Sequence, residues 1–196
     1  VPFITKHNQG GKGLGVRRFD SLAEFDAYVD SPEFEAPVDG ITLLQEYLTA
    51  REPFITRVEF VGGEFVYAVR VDTSAGSFEL CPADACEVPQ VIAGAVCDVP
   101  GTETAGAPPA FAVRTEITAG HPLVQQLRTF LADQRITIAG VEFMETTDGR
   151  TVVYDINTNT NYNPAVEESA PASGPRSIAK YLGGLLETQY AAQLTA

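Results

Sequence analysis

The chain has 196 residues, 44% of them apolar, enough to build one ordinary domain or two small lobes. Its 26 acidic and 13 basic side chains give a formal charge of -13. That balance argues against a nucleic-acid partner, which needs Lys and Arg to displace phosphate counterions, and against a basic membrane-surface patch. No apolar run approaches the roughly 20 residues of a membrane span. Cys81, Cys86 and Cys97 are odd in number and match no zinc spacing, so they read as free thiols of a reduced, cytoplasmic compartment.

In chain order, Val1–Lys6 reads as a strand that opens the sequence in mid-element without Met, as an excised fragment or a processed product would. We take it as a fragment. A glycine-rich stretch follows, and a second strand is expected around Val16. Ser21 and Glu24 have the spacing of a capping box, with Leu22, Phe25 and Val29 on one helical face. Residues 41–48 read as a buried strand. Residues 54–60 and 64–71 are β-branched and aromatic around Gly62-Gly63, a hairpin signal.

The stretch 72–118, with all three cysteines, has weak periodicity and reads as a long loop with short strands, a kind of segment that is often functional. Pro122 suits a first helical position, with Leu123, Leu127, Phe130 and Leu131 as the apolar stripe. Strands at 141–146 and 151–156 join through Asp148-Gly149. Residues 157–174 read as a polar loop, and the last helix starts near Pro175 with Ile178, Leu182 and Leu185 on one face. The pattern is that of an α+β chain with mainly antiparallel sheets.

Four constellations could carry chemistry. In Lys6 to Gly15, the glycines, Gly10, Gly11 and Gly13 among them, allow close approach of backbone N–H groups to phosphate oxygens, and Lys6 adds a point charge. A flexible hairpin loop with solvated lysines fits those residues equally well. In the 141–157 hairpin, a two-residue turn at Asp148-Gly149 sets Glu142 directly opposite Asp155, a repulsive pair that a divalent cation would reverse. Asn157 shares their face, and two carboxylates with an amide oxygen suit magnesium. The competing reading is a solvated face. In the Gly62-Gly63 hairpin, a two-residue turn sets Arg57 opposite Ala68 and Arg70 opposite Ile55, with both guanidiniums on one face for a polyphosphate or acyl phosphate. Solvated arginines, with Glu59 as a partner for Arg57, are the alternative. In Asn157 to Pro164, the asparagines beyond Asn157 read as turn residues.

Taken in order, these pieces resemble the ATP-grasp superfamily, in particular its glutamate-ligase-like branch. The likeness runs through Lys6 to Gly15, Leu44-Gln45-Glu46-Tyr47-Leu48, Thr56-Arg57-Val58, Val61-Gly62-Gly63-Glu64, Ala68-Val69-Arg70, Gly140-Val141-Glu142-Phe143 and Val153-Tyr154-Asp155-Ile156-Asn157. The resemblance implies two α+β lobes gripping ATP, a partial small lobe at 1–48 and a large lobe at 49–196, with an upstream domain lacking. It implies that Lys6 and the flap glycines Gly10, Gly11 and Gly13 contact ATP, and that Gln45, Glu46, Tyr47 and Leu48 form the hinge whose backbone reads adenine. Arg57 and Arg70 would lie near the γ-phosphate, and Glu142, Asp155 and Asn157 would hold magnesium, with manganese as a second candidate. Ile55 stands where relatives often carry the ribose acid; Glu52 is the substitute. The implied activity is a carboxylate–amine ligase acting on small-molecule or peptide substrates. A nucleotide-binding or regulatory module without catalysis is the other class, and it has less need of a metal triad.

Overall fold

A computed structural model of the chain describes residues 1–9, 15–74 and 109–194. Gly10, Gly11 and Gly13, the three cysteines, and most of the 72–118 stretch lie outside the described residues. The chain divides into two compact units, one containing Val1–Thr49 and the other Ala50–Asp72 with Pro109–Ala196. All strand pairs among the described residues are antiparallel.

The described residues of the first unit form a three-stranded sheet, β2-β1-β3, with one helix. Its strands are β1 (Phe3–His7), β2 (Arg17–Phe19) and β3 (Thr42–Glu46), and α1 spans Leu22–Val29. Ser21 caps α1 as expected, accepting from Glu24 N–H at 3.2 Å, while the Glu24 carboxylate reaches back to Asp20 N–H at 2.8 Å. The expected stripe of α1 is only partly right. Phe25 packs edge-on against Phe19 (5.3 Å between centroids) and Phe3 (5.9 Å), but Leu22 is exposed. An aromatic cluster therefore does the work that aliphatic helix residues were expected to share. Strand β3 is not buried either. Among the described residues it pairs only with β1, and Leu44 on it is 57% exposed.

The second unit is a five-stranded sheet, β6-β5-β4-β7-β8, with three helices. Its strands are β4 (Phe54–Val61), β5 (Glu64–Asp72), β6 (Phe111–Val113), β7 (Ile138–Glu145) and β8 (Thr151–Asn157). Helix α2 (Pro122–Asp133) covers one face, where Val124, Leu127 and Leu131 meet Val58, Phe60, Ala68, Val141 and Phe143. Pro122 is in the first turn as expected, but the buried stripe uses Val124, and Phe130 is exposed. The expected polar loop 157–174 contains a short helix, α3 (Pro164–Ser169), in which Asn163 accepts from the N–H groups of Ala165 (2.9 Å) and Val166 (3.3 Å). Helix α4 runs from Gly174 to Leu194, and Leu182 and Leu185 on it are about half exposed rather than buried.

Two hairpins set the register that matters. Gly62 (φ 63°) and Gly63 (φ 77°) both occupy the left-handed region that a type I′ turn demands. Val61 faces Glu64 and Phe60 faces Phe65 as that turn requires, but a bulge follows, and Glu59 then faces Tyr67. The extra residue, Val66, moves every later pair by one. Arg57 therefore lies opposite Val69, and Arg70 opposite Thr56. In the β7–β8 hairpin, Thr146 N–H bonds Arg150 C=O at 2.9 Å, so the loop has three residues, Thr147 to Gly149, with Gly149 at φ 84°. A bulge at Tyr154 adds a second offset. The two departures cancel, and Glu142 lies directly opposite Asp155.

Candidate active-site face of the large sheet

The sheet face opposite α2 gathers a polar cluster out of side chains that alternate along three strands. Arg57 and Glu59 come from β4, Glu142 from β7, and Asp155 and Asn157 from β8. Glu142 is the cross-strand partner of both Arg57 and Asp155, while Gly140 is the partner of both Glu59 and Asn157. The flanking apolar residues of these strands point into the α2 core, so the pleat fixes which side the charges take.

Arg57 is the hub. Its Nε donates to Glu59 Oε1 at 2.6 Å, and its Nη1 donates to Glu142 Oε1 at 3.2 Å. Glu142 Oε2 accepts from the Tyr154 hydroxyl at 2.9 Å, and Glu59 Oε2 accepts from the Thr160 hydroxyl at 2.8 Å. The Arg57, Glu59 and Glu142 side chains retain only 14%, 3% and 5% of their exposure. Arg57 Nη2 is buried with no hydrogen-bond partner among the described residues. Such a donor costs free energy for as long as it lacks an acceptor.

The electrostatics follow from burial. Burial raises the pKa of Glu59 and of Glu142, partly opposed by Arg57 in each case, and Asp155 adds repulsion at Glu142. Burial works against the Arg57 charge, but Glu59 and then Glu142 outweigh it and hold the pKa above its ordinary value. Burial, then the neighbouring Glu142, raises the Tyr154 hydroxyl, which therefore stays a donor. The cluster thus sets three carboxyl groups, Glu59, Glu142 and Asp155, about one guanidinium.

The residues fit a hard divalent cation. Two carboxylates on directly opposed strand positions, with an amide on the same face, offer oxygen donors and a charge that a cation would offset. Asn157 Oδ1 accepts from Asn159 N–H at 2.8 Å and keeps a second lone pair. Among the described residues, no three His, Cys, Asp or Glu side chains form a metal cluster by themselves. The set is thus incomplete without water or phosphate oxygens.

The other expected site residues are placed as follows. Lys6 pairs with Leu43 in the first unit, and Gln45 and Glu46 end β3 opposite Ile4 and Phe3. Tyr47 N–H bonds Pro2 C=O at 3.3 Å, the Arg18 guanidinium lies 4.4 Å above the Tyr47 ring, and Leu48 follows just before the unit ends at Thr49. Glu52 is exposed and shares a shallow cleft with Arg51, Phe54, Thr56 and Arg114. Arg70 corrects the expectation of two arginines on one face. The Val66 bulge turns it to the face of Thr56, where it lies 4.7 Å from the Phe54 ring centroid and 3.4 Å from Asp72. Arg114 joins that face, donating to Thr56 Oγ1 at 2.6 Å. Tyr154, Thr160, Gly140 and Arg114 have no role assigned to them in the sequence reading. Glu59 figured there only as a partner for Arg57; its place two residues along the same strand was the available signal.

The two α+β units with their antiparallel sheets have the fold of the ATP-grasp ligases. The chain is similar to the D-cycloserine synthetase DcsG (TM-score 0.60, 15% identity, 94% of this chain and 56% of that one). It is also similar to the ATP-grasp ligase PsnB solved with a minimal precursor (0.53, 17%, 93% and 47%). A third likeness is to D-alanyl-alanine synthetase A of Vibrio cholerae O1 biovar eltor str. N16961 (0.51, 10%, 93% and 52%). Another PsnB structure, at TM-score 0.52, holds the precursor with Mg and ADP. The chain spans about half the length of each of these proteins. No protein-family model matches the sequence, and no curated protein matches it significantly. No helix among the described residues is long and apolar enough to cross a membrane.

Proposed function

We propose that this chain is the nucleotide-binding part of an ATP- and magnesium-dependent carboxylate–amine ligase. The observation that carries the reading is the buried, unpartnered Nη2 of Arg57 beside the opposed carboxylates of Glu142 and Asp155. A face with both an unpartnered guanidinium nitrogen and two directly opposed carboxylates suits a polyphosphate and its metal. The ATP-grasp fold, and the Mg and ADP held by PsnB, support that choice of ligand.

In this reading a substrate carboxylate attacks the γ-phosphorus of ATP, giving an acyl phosphate and ADP. An amine then attacks the acyl carbon, and phosphate leaves as the amide forms. Glu142, Asp155 and Asn157 would hold magnesium, which supplies charge neutralisation for the phosphate oxygens. Arg57 offers Nη2 to the transferred group, where negative charge is redistributed as the bonds change. Lys6, Gly10, Gly11 and Gly13 are assigned to the ATP phosphates, as a basic group and backbone N–H donors. Gln45 to Leu48 present backbone groups to the adenine, and Glu52 reaches the ribose. Arg70, on the opposite sheet face, is assigned no contact with the reacting phosphate. Small-molecule or peptide carboxylates and amines are the substrate class.

The test is phosphate release from ATP by the intact protein across a panel of carboxylates and amines. ATP-dependent condensation lost in a Glu142→Ala/Asp155→Ala variant supports the reading. Condensation that survives both changes overturns the metal assignment.

A further inference from the structure

We infer that Glu59 is a positioning residue that aims Arg57, and that Gly140 is the platform on which the guanidinium lies; this rests on the ligase reading above. Two carboxylates hold Arg57, but not equally. Glu59 meets Nε at 2.6 Å, a short ion-pair contact, whereas Glu142 meets Nη1 at 3.2 Å. Glu142 is also opposite Asp155 and within reach of any cation there, so it has a competing task. Glu59 is two residues from Arg57 on the same strand face, and its second oxygen is tied down by the Thr160 hydroxyl at 2.8 Å. It remains the partner of Arg57 when Glu142 turns to a metal.

Gly140 completes the device. A Cβ there would lie 2.5 Å from Arg57 Nη2, 2.6 Å from Nε and 2.7 Å from Cζ. The guanidinium therefore occupies the volume a side chain would fill, pressed against the β7 backbone. With Nε bonded to Glu59 and the plane set against Gly140, Nη2 is the guanidinium nitrogen that has no hydrogen-bond partner among the described residues. A buried ion pair serving stability alone leaves no donor unsatisfied by design; here one remains, beside the candidate metal ligands.

The experiment uses the intact protein and two readouts. The first is solvent exchange of the Arg57 Nε–H, followed by nitrogen-edited NMR and assigned by its loss in Arg57→Lys. Glu59→Ala is expected to speed that exchange about tenfold or more, and Glu59→Gln, which keeps an acceptor, by less. Should Glu59→Ala fail to fold, Glu59→Gln carries the comparison. The second readout is kinetic. Either Glu59 change should lower kcat about 10- to 100-fold with KM for ATP within about threefold, and should change kcat less than about twofold in an Arg57→Ala background. Unchanged Nε–H protection in both variants overturns the inference. So do Glu59 and Arg57 effects that multiply, as two independent structural losses would. A wild-type protein without ligase activity sinks the ligase reading instead, and the exchange readout then decides the placing of Arg57 by itself.

Discussion

The Arg57 guanidinium lies across the Cα of Gly140, close enough that a methyl group at position 140 would sit 2.5–2.7 Å from three of its atoms. Gly140 is itself the cross-strand partner of Glu59 and of Asn157, so one residue without a side chain joins the arginine to β8.

Gly140→Ala should therefore displace Arg57 rather than simply crowd the core. Overpacking at this position is expected to cost about 1–3 kcal/mol, read from denaturant midpoints. The accompanying misplacement of Arg57 should lower kcat about 100-fold. Gly183→Ala and Gly184→Ala are the controls, since a Cβ there meets nothing within 4 Å. Both lie inside α4 and should stabilise by about 0.5–1 kcal/mol.

Glu59 gives a pH dependence of defined sign. Burial raises its pKa in the folded state. The folded chain thus holds this proton more tightly than the unfolded one, so the contribution is full below the ordinary carboxyl value, about 4.3. It is lost as pH rises through the raised folded value. The stability difference between wild type and Glu59→Gln, measured by urea unfolding, should move against the wild type from pH about 4 upward and then level off. A difference that moves in favour of the wild type would mean that Arg57 outweighs burial.

Helix α2 separates two residues that the sequence pattern grouped together. Leu131 is fully buried and Phe130 is 45% exposed. Leu131→Ala should cost about 2–5 kcal/mol by thermal or denaturant unfolding, whereas Phe130→Ala should cost less than about 1 kcal/mol.

The order of elements was legible because turn chemistry is local. Gly62-Gly63 dictated its hairpin, Ser21 and Glu24 their cap, and Pro122 a helix start. Bulges were not legible. Val66 and Tyr154 look like ordinary strand residues, yet each shifts a register by one. At β5 the shift moved Arg70 to the other face. At β8 it offset a loop one residue longer than expected, and so the Glu142–Asp155 pair was anticipated correctly on a turn that was not. Exposure of Leu22, Leu44 and Leu182 was also beyond the pattern, since apolar periodicity marks a face without saying what covers it. Helix α3 was missed although Asn163-Pro164 offers both a cap and a first-turn proline.

The central claim is that the Arg57 face binds a nucleotide together with a divalent cation. Calorimetric titration of ATP into the intact protein, with and without magnesium, tests it most directly beside a Glu142→Ala/Asp155→Ala variant. The account predicts magnesium-dependent binding that the variant loses while its fold, judged by circular dichroism, is kept. Binding of equal strength in the variant, or no ATP binding by the folded wild-type protein under either condition, would contradict it.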